Sequence, residues 1–287
     1  MGFAIALSGG GARGAAHVGV LCALEEAGLY PAAVAGTSAG SIVGGMYALG
    51  MKPTQMRKYV EELAEHTKLI VDADYLGIII SAAELFMGKP ITFTGFLKGD
   101  RLERYMDKLT EGKSITETKM RLIITAVDLV SRKTIAYTNT LEGVSPQKNT
   151  VWKTDVPISL AMRASSAIPA VFRPVYEEGM VLVDGGVTDV VPVELLLGTG
   201  EEKVLSVDLS GNYPLKPRAN IIDISDSSIS LMLSTLTEYM TIGEKYRITP
   251  NLPETVSALS FDKMVECMEI GYEAAVQCIS SIKAALM

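Results

Sequence analysis

One serine lies at the centre of a glycine-flanked pentapeptide, Gly36-Thr37-Ser38-Ala39-Gly40. A short apolar run precedes these residues and a predicted helix follows them, which is the setting of a nucleophile elbow. The elbow turn is so tight that its flanking positions exclude side chains, and glycine meets that demand because it lacks a Cβ. The turn would present the Ser38 hydroxyl beside a helix N-terminus, whose free N–H groups stabilise anions. We therefore predict that Ser38 is a nucleophile.

A serine hydroxyl becomes a good nucleophile only when a base removes its proton. The sequence contains two histidines, His17 and His66, and both have an ordinary structural interpretation. In the α/β-hydrolase order the histidine follows the acid, which follows the serine. No histidine occurs after His66, so that triad cannot be assembled. A carboxylate acting alone as the base remains.

Asp184 is the best candidate for that carboxylate. It ends a predicted strand that includes Met180 to Val183, and Gly185 and Gly186 allow the chain to turn sharply behind it. The other interpretation is an ordinary turn aspartate, which is common before glycine. A carboxylate is a weak base near neutral pH, so partial burial that raises its pKa would assist it.

The segment from Ser8 to Gly14 is rich in glycine and follows the predicted strand Phe3–Leu7. Consecutive glycines at the end of a strand can turn several N–H groups towards a developing oxyanion. The same residues satisfy the Gly-x-Gly-x-x-Gly pattern of a dinucleotide site. That fingerprint needs an acidic residue about 20 positions further on. No carboxylate occurs between Ala27 and Met51, which opposes a nicotinamide or flavin site.

Strand and helix patterns alternate along the chain, which predicts an α/β fold. We expect one domain spanning residues 1–287. The predicted strands are 3–7, 32–35, 121–129, 133–138, 180–183 and 203–209, and the main predicted helices are 15–27, 39–49, one beginning near 53, and 261–287.

Two apolar regions allow more than one interpretation. Residues 69–97 are irregular and rich in apolar side chains, so they are ordinary core, a mobile flap, or one wall of an acyl-chain groove. Residues 211–250 are predicted to be a loop followed by an amphipathic helix. The sequence leaves open whether either region is a mobile lid.

The composition limits the classes of partner. The chain has 287 residues, 48% of them hydrophobic, and a net charge of −7, so it offers no basic stripe for nucleic acid. Cys22, Cys267 and Cys278 are odd in number and widely separated, which indicates reduced thiols. No secretory signal, transmembrane segment or metal-ligand spacing is recognisable. We expect a cytoplasmic protein with no metal and no cofactor.

The three glycine-containing motifs at residues 9–14, 36–40 and 184–186, taken together, resemble the signature of the patatin-like phospholipase family. The block Arg163–Pro169 and the C-terminal helix around Gly271 also resemble bacterial members of that family. The resemblance covers essentially the whole chain. It implies the patatin fold, which has three layers, α/β/α, around a central and mostly parallel sheet.

The resemblance also implies a lipid acyl hydrolase that uses a Ser-Asp dyad, forms an acyl-serine and needs no metal. Its oxyanion hole would lie at Gly9, Gly10 and Gly11, with Arg13 nearby. One departure is Asp189, because the family often has asparagine shortly after the Asp-Gly-Gly turn. The implied substrate is a lipid acyl ester. We also expect peripheral contact at the inner membrane face, and the oligomeric state stays open.

Other functions fit the same motifs. A thioesterase or a transacylase would use the same dyad chemistry on a different acyl donor or acceptor. A non-catalytic, lipid-sensing regulatory protein would keep the fold without turnover. A probe that reacts with an activated serine separates the last of these from the enzymes.

Overall fold

The computed structural model describes residues 2–211, 221–240, 242–254 and 256–287. The strands are β1 (Ala4–Leu7), β2 (Ala33–Thr37), β3 (Gly95–Leu97), β4 (Arg121–Asp128), β5 (Lys133–Thr138), β6 (Thr150–Lys153), β7 (Ala170–Phe172), β8 (Val175–Glu177), β9 (Met180–Asp184), β10 (Val204–Val207) and β11 (Tyr246–Ile248). The α-helices are α1 (Ala15–Glu26), α2 (Ala39–Ala48), α3 (Pro53–Glu65), α4 (Tyr75–Phe86), α5 (Asp100–Thr110), α6 (Ile158–Ser165), α7 (Val193–Leu197), α8 (Ile221–Met240) and α9 (Met264–Leu286).

The central sheet has the strand order β11-β10-β1-β2-β4-β5-β6. Its pairs are parallel except for β4 with β5, and β9 joins it by pairing antiparallel with both β4 and β8. A separate two-stranded sheet joins β3 to β7. Helices cover both faces of the central sheet, so the fold is the three-layer α/β/α arrangement with a mostly parallel sheet that the sequence predicts.

The two faces of the sheet differ in the size of their side chains. On β1, Ile5 and Leu7 point into the larger core, while Ala4 and Ala6 point into the smaller one. This alternation follows from the two-residue period of a strand. The larger core packs against α1, α2, α3, α5, α6 and α9, and the smaller core packs against α7 and against Leu233 and Leu236 of α8.

The C-terminal helix crosses α1 at a glycine pair. A Cβ at Gly19 would collide with the backbone of Met268, and a Cβ at Gly271 would collide with the carbonyl of Ala16. The two helices therefore approach each other through their backbones, as small residues at a helix crossing permit. Cys22 and Cys267 are buried among the apolar residues of this contact, and all three cysteines are free thiols.

The region 69–97 differs in part from its interpretation as core. Ile70 is buried in the larger core, but the region also forms α4, and none of the residues of this helix is buried. The physical reason is that α4 contacts β3 and little else of the protein, so its apolar composition finds no protein surface to pack against. The alternatives, a mobile flap or a groove wall, stay predictions.

The region after residue 211 also differs in part. The predicted helix is α8, and a short strand that the sequence pattern did not indicate, β11, extends the sheet beside β10. The predicted loop residues 212–220 lie outside the described residues. Among the helices that the structure describes, none is both long and apolar enough to cross a bilayer.

Candidate active site

Ser38 lies in the strained turn between β2 and α2. Its φ of 53° is unusual for a residue with a side chain. A Cβ at Gly36 would collide with the carbonyl of Gly40, and a Cβ at Gly40 would collide with the carbonyl of Leu7. The backbone at the elbow is therefore compatible only with glycine at both flanking positions. Strain of this kind concentrates at functional sites.

Ser38 and Asp184 meet because two strands end head to head along β4. One edge of β4 pairs with two strands in succession. It pairs with β2 as far as Thr125, which is opposite Thr37. From the next residue, Ala126, it pairs with β9, and Asp184 is opposite Ala126. Strand β5 occupies the other edge of β4, so β2 and β9 share one side of it. Because β9 runs antiparallel to β4, its last residue points towards the end of β2.

A turn at the end of α6 holds the backbone of both residues. The N–H of Ser38 donates to Oγ of Ser165 at 2.8 Å, and the N–H of Asp184 donates to the carbonyl of Ala167 at 3.0 Å. All of these residues are buried. The small and polar residues of the block Arg163–Pro169 and its family resemblance did not predict its position between the two functional residues.

The two carboxyl oxygens of Asp184 have different surroundings. Oδ1 accepts a hydrogen bond from the N–H of Gly186 at 2.8 Å. Oδ2 is buried and has no hydrogen-bond partner among the described residues. Burial raises the pKa of Asp184 to about 6, while the nearby Ser38 hydroxyl and the Gly186 N–H act in the opposite direction. The hydroxyl is thus close enough to affect the carboxyl without a standard hydrogen bond to Oδ2, as is common in apo active sites.

The glycine loop lies beside the serine. A Cβ at Gly9 would contact Cβ of Ser38 at 3.5 Å, and the N–H of Gly9 donates to the carbonyl of Val190 at 3.1 Å. That N–H is therefore already used in this structure. The N–H groups of Gly10 and Gly11 have no partner within the described part of the chain. Arg13 is buried, and its Nε donates to the carbonyl of Gly10 at 3.3 Å, so this side chain holds the loop.

His17 also forms a hydrogen bond with the glycine loop. Its Nε2 donates to the carbonyl of Ser8 at 2.8 Å, while Nδ1 is buried without a partner among the described residues. Burial lowers the pKa of His17 to about 4, although the bond to Ser8 opposes this effect. The imidazole is therefore neutral at physiological pH, and it contacts the loop rather than Ser38.

An apolar cavity of about 120 Å³ reaches Ser38. Along α2 its wall follows Ser38, Ile42 and Met46, which lie on one side of the helix and span about 12 Å. Four methionines line it, and their flexible thioethers adapt to guests of varied shape. These are Met46, Met56, Met106 and Met264. Among the residues described, no group of three His, Cys, Asp or Glu side chains could hold a metal ion.

Comparison with known families agrees with this geometry. The sequence profile of the family described as patatin-like phospholipase matches residues 5–197, about two thirds of the chain. The chain belongs to the patatin-like phospholipase family. The match includes the glycine loop, the serine elbow and the Asp-Gly-Gly turn, and it ends before β10.

Relatives of this patatin-like protein are larger. An uncharacterised NTE family protein of Mycobacterium tuberculosis is 29% identical over 73% of the chain, and the match spans 49% of that protein. The human patatin-like phospholipase domain-containing protein 6 is 25% identical over 72% of the chain and is matched over 13% of its own length. The chain thus spans about half the length, or less, of the relatives it matches.

A solved structure with the same fold is VipD from Legionella pneumophila. It superposes with a TM-score of 0.52 and 16% identity, over 98% of this chain and 67% of that one. At this identity the similarity concerns the fold alone.

Asp189 is a second carboxyl beside the site. Its carbonyl accepts a hydrogen bond from the Thr37 hydroxyl at 2.9 Å, which ties it to the end of β2. The residue keeps some solvent exposure, yet the dense protein around its carboxyl makes burial the main reason why its pKa rises to about 7. The charge of Glu194 adds to the rise. Asp189 therefore binds its proton more tightly in the folded state than in the unfolded one.

Replacement of Asp189 by asparagine, the residue frequent at this position in the family, should stabilise the protein at alkaline pH. The folded pKa of about 7 lies above the ordinary 3.8, so the wild type loses stability as pH rises between these values. Asparagine carries no charge to bury. The gain in the free energy of unfolding of Asp189→Asn should be near zero at about pH 4 and should reach its maximum above about pH 7.

Urea unfolding of both proteins across this range measures the gain. The same substitution at the exposed Asp262 is the matched control. A pH-independent difference between Asp189→Asn and the wild type would contradict the assignment of a raised pKa to Asp189.

Proposed function

We propose that this protein is a serine lipid acyl hydrolase of the phospholipase A or esterase type. The observation that carries the proposal is the approach of Ser38, in a strained elbow, to the buried Asp184, whose Oδ2 lacks a partner among the described residues. A carboxyl with a pKa of about 6 is mostly ionised at neutral pH and is a stronger base than an ordinary aspartate. Membership of the patatin-like phospholipase family supports the same reaction class.

In the first half of the reaction, Oγ of Ser38 attacks the carbonyl carbon of the ester. Oδ2 of Asp184 takes the serine proton as the new C–O bond forms. The N–H groups of Gly10 and Gly11, together with the N-terminus of α2, stabilise the oxyanion. The tetrahedral intermediate then expels the alcohol, which receives the proton from Asp184 and leaves an acyl-serine.

In the second half, water replaces the alcohol. Asp184 takes a proton from the water as it attacks the acyl-serine carbonyl. The second tetrahedral intermediate releases the fatty acid, and the proton returns to Oγ of Ser38. Each half transfers one proton to the carboxyl and one away from it, so the dyad ends in its starting state.

The cavity supports a long acyl chain as the substrate group. Its lining is almost wholly apolar, and it extends from Ser38 along α2. Burial of each methylene of an acyl chain contributes about 0.8 kcal/mol. A long-chain ester therefore gains affinity from the cavity that a short soluble ester does not.

We further propose that residues 1–287 act as one catalytic unit, because β10 and β11 complete the sheet that carries the motifs. The three free cysteines support a cytoplasmic location, and a lipid substrate requires peripheral contact at a membrane face. Product analysis separates hydrolysis from the related thioesterase and transacylase reactions: a free fatty acid indicates hydrolysis of an ester, and a new ester indicates transfer.

A fluorophosphonate, which reacts with activated serines, should label the wild type at one site per chain. Ser38→Ala should abolish both labelling and the release of fatty acid from a lipid extract, measured by mass spectrometry. Asp184→Asn keeps the side-chain shape but cannot accept the serine proton, so turnover should fall by at least about 10². His66→Gln changes an exposed histidine and is the matched control.

A folded Asp184→Asn protein with near-normal turnover would show that another group is the base. Stoichiometric labelling of Ser38→Ala would show that the nucleophile is a different serine. Labelling at Ser38 without turnover of any lipid or soluble ester would support the non-catalytic alternative.

Filling the cavity should change the preference for chain length. Met46 lies about 12 Å from Ser38 along α2, so a bulky and rigid ring there shortens the space for an acyl chain. We expect Met46→Phe to lower kcat/KM for long-chain esters at least about tenfold while leaving butyrate esters nearly unchanged.

The control is Met120→Phe, which enlarges a partly buried methionine that does not line the cavity. An equal loss on short and long esters, or no loss on either, would contradict the role of this cavity as the acyl site.

A further inference from the structure

Helix α4 has its apolar side chains on the outside. Phe86, Tyr75, Leu85 and Ile79 are 92%, 74%, 68% and 67% exposed. A surface helix of a globular protein normally turns its apolar stripe inward. Exposed apolar residues gathered on one helix, unlike scattered single ones, mark an interaction surface.

The polar side of α4 faces the protein. Glu84 accepts hydrogen bonds from the N–H and the hydroxyl of Thr92, both at 2.8 Å, and the Oγ atom of Ser81 is buried. Asp74 accepts from the N–H of Gly77 at the start of the helix and forms an ion pair with Arg173. These contacts fix the orientation of the helix, so its apolar side is held outward.

The apolar side chains cover an unusually wide arc. With about 100° between successive residues, the arc from Leu85 through Phe86 to Ile80 spans about 220° of the helix circumference. Packing against a protein surface needs a stripe of only about 100°. A medium that surrounds most of the helix, such as the acyl-chain boundary of a bilayer, matches the wider arc.

The position of α4 links this surface to the active site. The chain leaves the cavity wall at Ile70, forms α4, and returns in β3. Strand β3 pairs with β7, whose Phe172 also lines the cavity. One end of the segment that carries α4 therefore lines the cavity that reaches Ser38, and the other end pairs with a strand that lines it.

We propose that α4 is the membrane-docking element of this protein: it lies in the interface of a lipid bilayer and holds the cavity against the membrane that contains the substrate. The inference rests on the proposed lipid hydrolase function. Twelve residues give a helix of about 18 Å, which is shorter than the roughly 30 Å of a hydrocarbon core, so α4 lies in one leaflet.

The charge after the C-terminal end of α4 agrees with this placement. The exposed Lys89 follows the helix by three residues, where its side chain can reach headgroup phosphates. The protein as a whole carries a net charge of −7, so apolar contact rather than charge drives the docking. A second copy of the chain is the other occupant to consider, but it would cover one side of the helix and leave the rest of the apolar arc in water.

The test uses vesicles of ether-linked phosphatidylcholine, which contain no carboxylic ester, so that binding is measured apart from hydrolysis. The wild type should float with these neutral vesicles at both low and high salt. Ile79→Ser/Phe86→Ser removes two apolar side chains from the outward side of α4, and its partition onto vesicles should fall at least about tenfold. Tyr30→Ser/Val276→Ser, which changes two exposed apolar residues outside α4, should partition like the wild type.

Both double variants should hydrolyse a short soluble ester and react with fluorophosphonate as the wild type does, which shows that they are folded. Unchanged vesicle binding by Ile79→Ser/Phe86→Ser, or no binding by the wild type, would overturn the proposal. A wild-type dimer in solution that the same variant converts to a monomer would assign the surface to a second copy instead. Binding that depends on Ile79 and Phe86 in a protein without esterase activity would uphold the docking surface and overturn the proposed function.

Discussion

The geometry of the site depends on the pairing of two strands with one edge of β4. Strand β2 ends there at Thr37, and β9 ends head to head with it at Asp184. The turn after α6 then fixes both ends, through Ser165 for the N–H of Ser38 and Ala167 for the N–H of Asp184. A buried N–H without a partner costs about 1–3 kcal/mol, so these bonds constrain the two backbones strongly. The side chains need little further adjustment to act as a pair.

Burial raises the pKa of the Asp184 carboxyl and so makes it a stronger base. A base without a histidine needs a pKa closer to neutrality than an exposed aspartate has. Asp184 reaches about 6 because its surroundings exclude water, while the Gly186 N–H keeps Oδ1 satisfied and leaves Oδ2 for the proton. The buried His17 has a different role, because it is neutral and donates to the carbonyl of Ser8. The site thus separates the group that accepts the proton from the group that supports the oxyanion loop.

Much of this architecture is predictable from local sequence rules. The glycines of the elbow predict its tight turn. Apolar runs followed by helix patterns predict the strands and helices of the α/β fold. The antiparallel run of β9 is not predictable, because strand direction depends on distant pairing. In this mostly parallel sheet it is the antiparallel strand β9 that brings Asp184 to Ser38. The exposure of the apolar side chains of α4 was not predictable either. An apolar run predicts burial, but it does not distinguish burial in protein from burial in lipid.

The most direct test of the account is the rate at which fluorophosphonate labels Ser38 as pH varies from about 4 to about 8. Labelling requires only the nucleophile and its base, so it is independent of substrate choice, membrane binding and product release. The account predicts that the wild-type rate rises to a plateau with an apparent pKa of about 6, and that Asp184→Asn reacts slowly with no such rise. A wild-type rate that does not change with pH, or the same rise in folded Asp184→Asn, would contradict a buried aspartate as the base that activates Ser38.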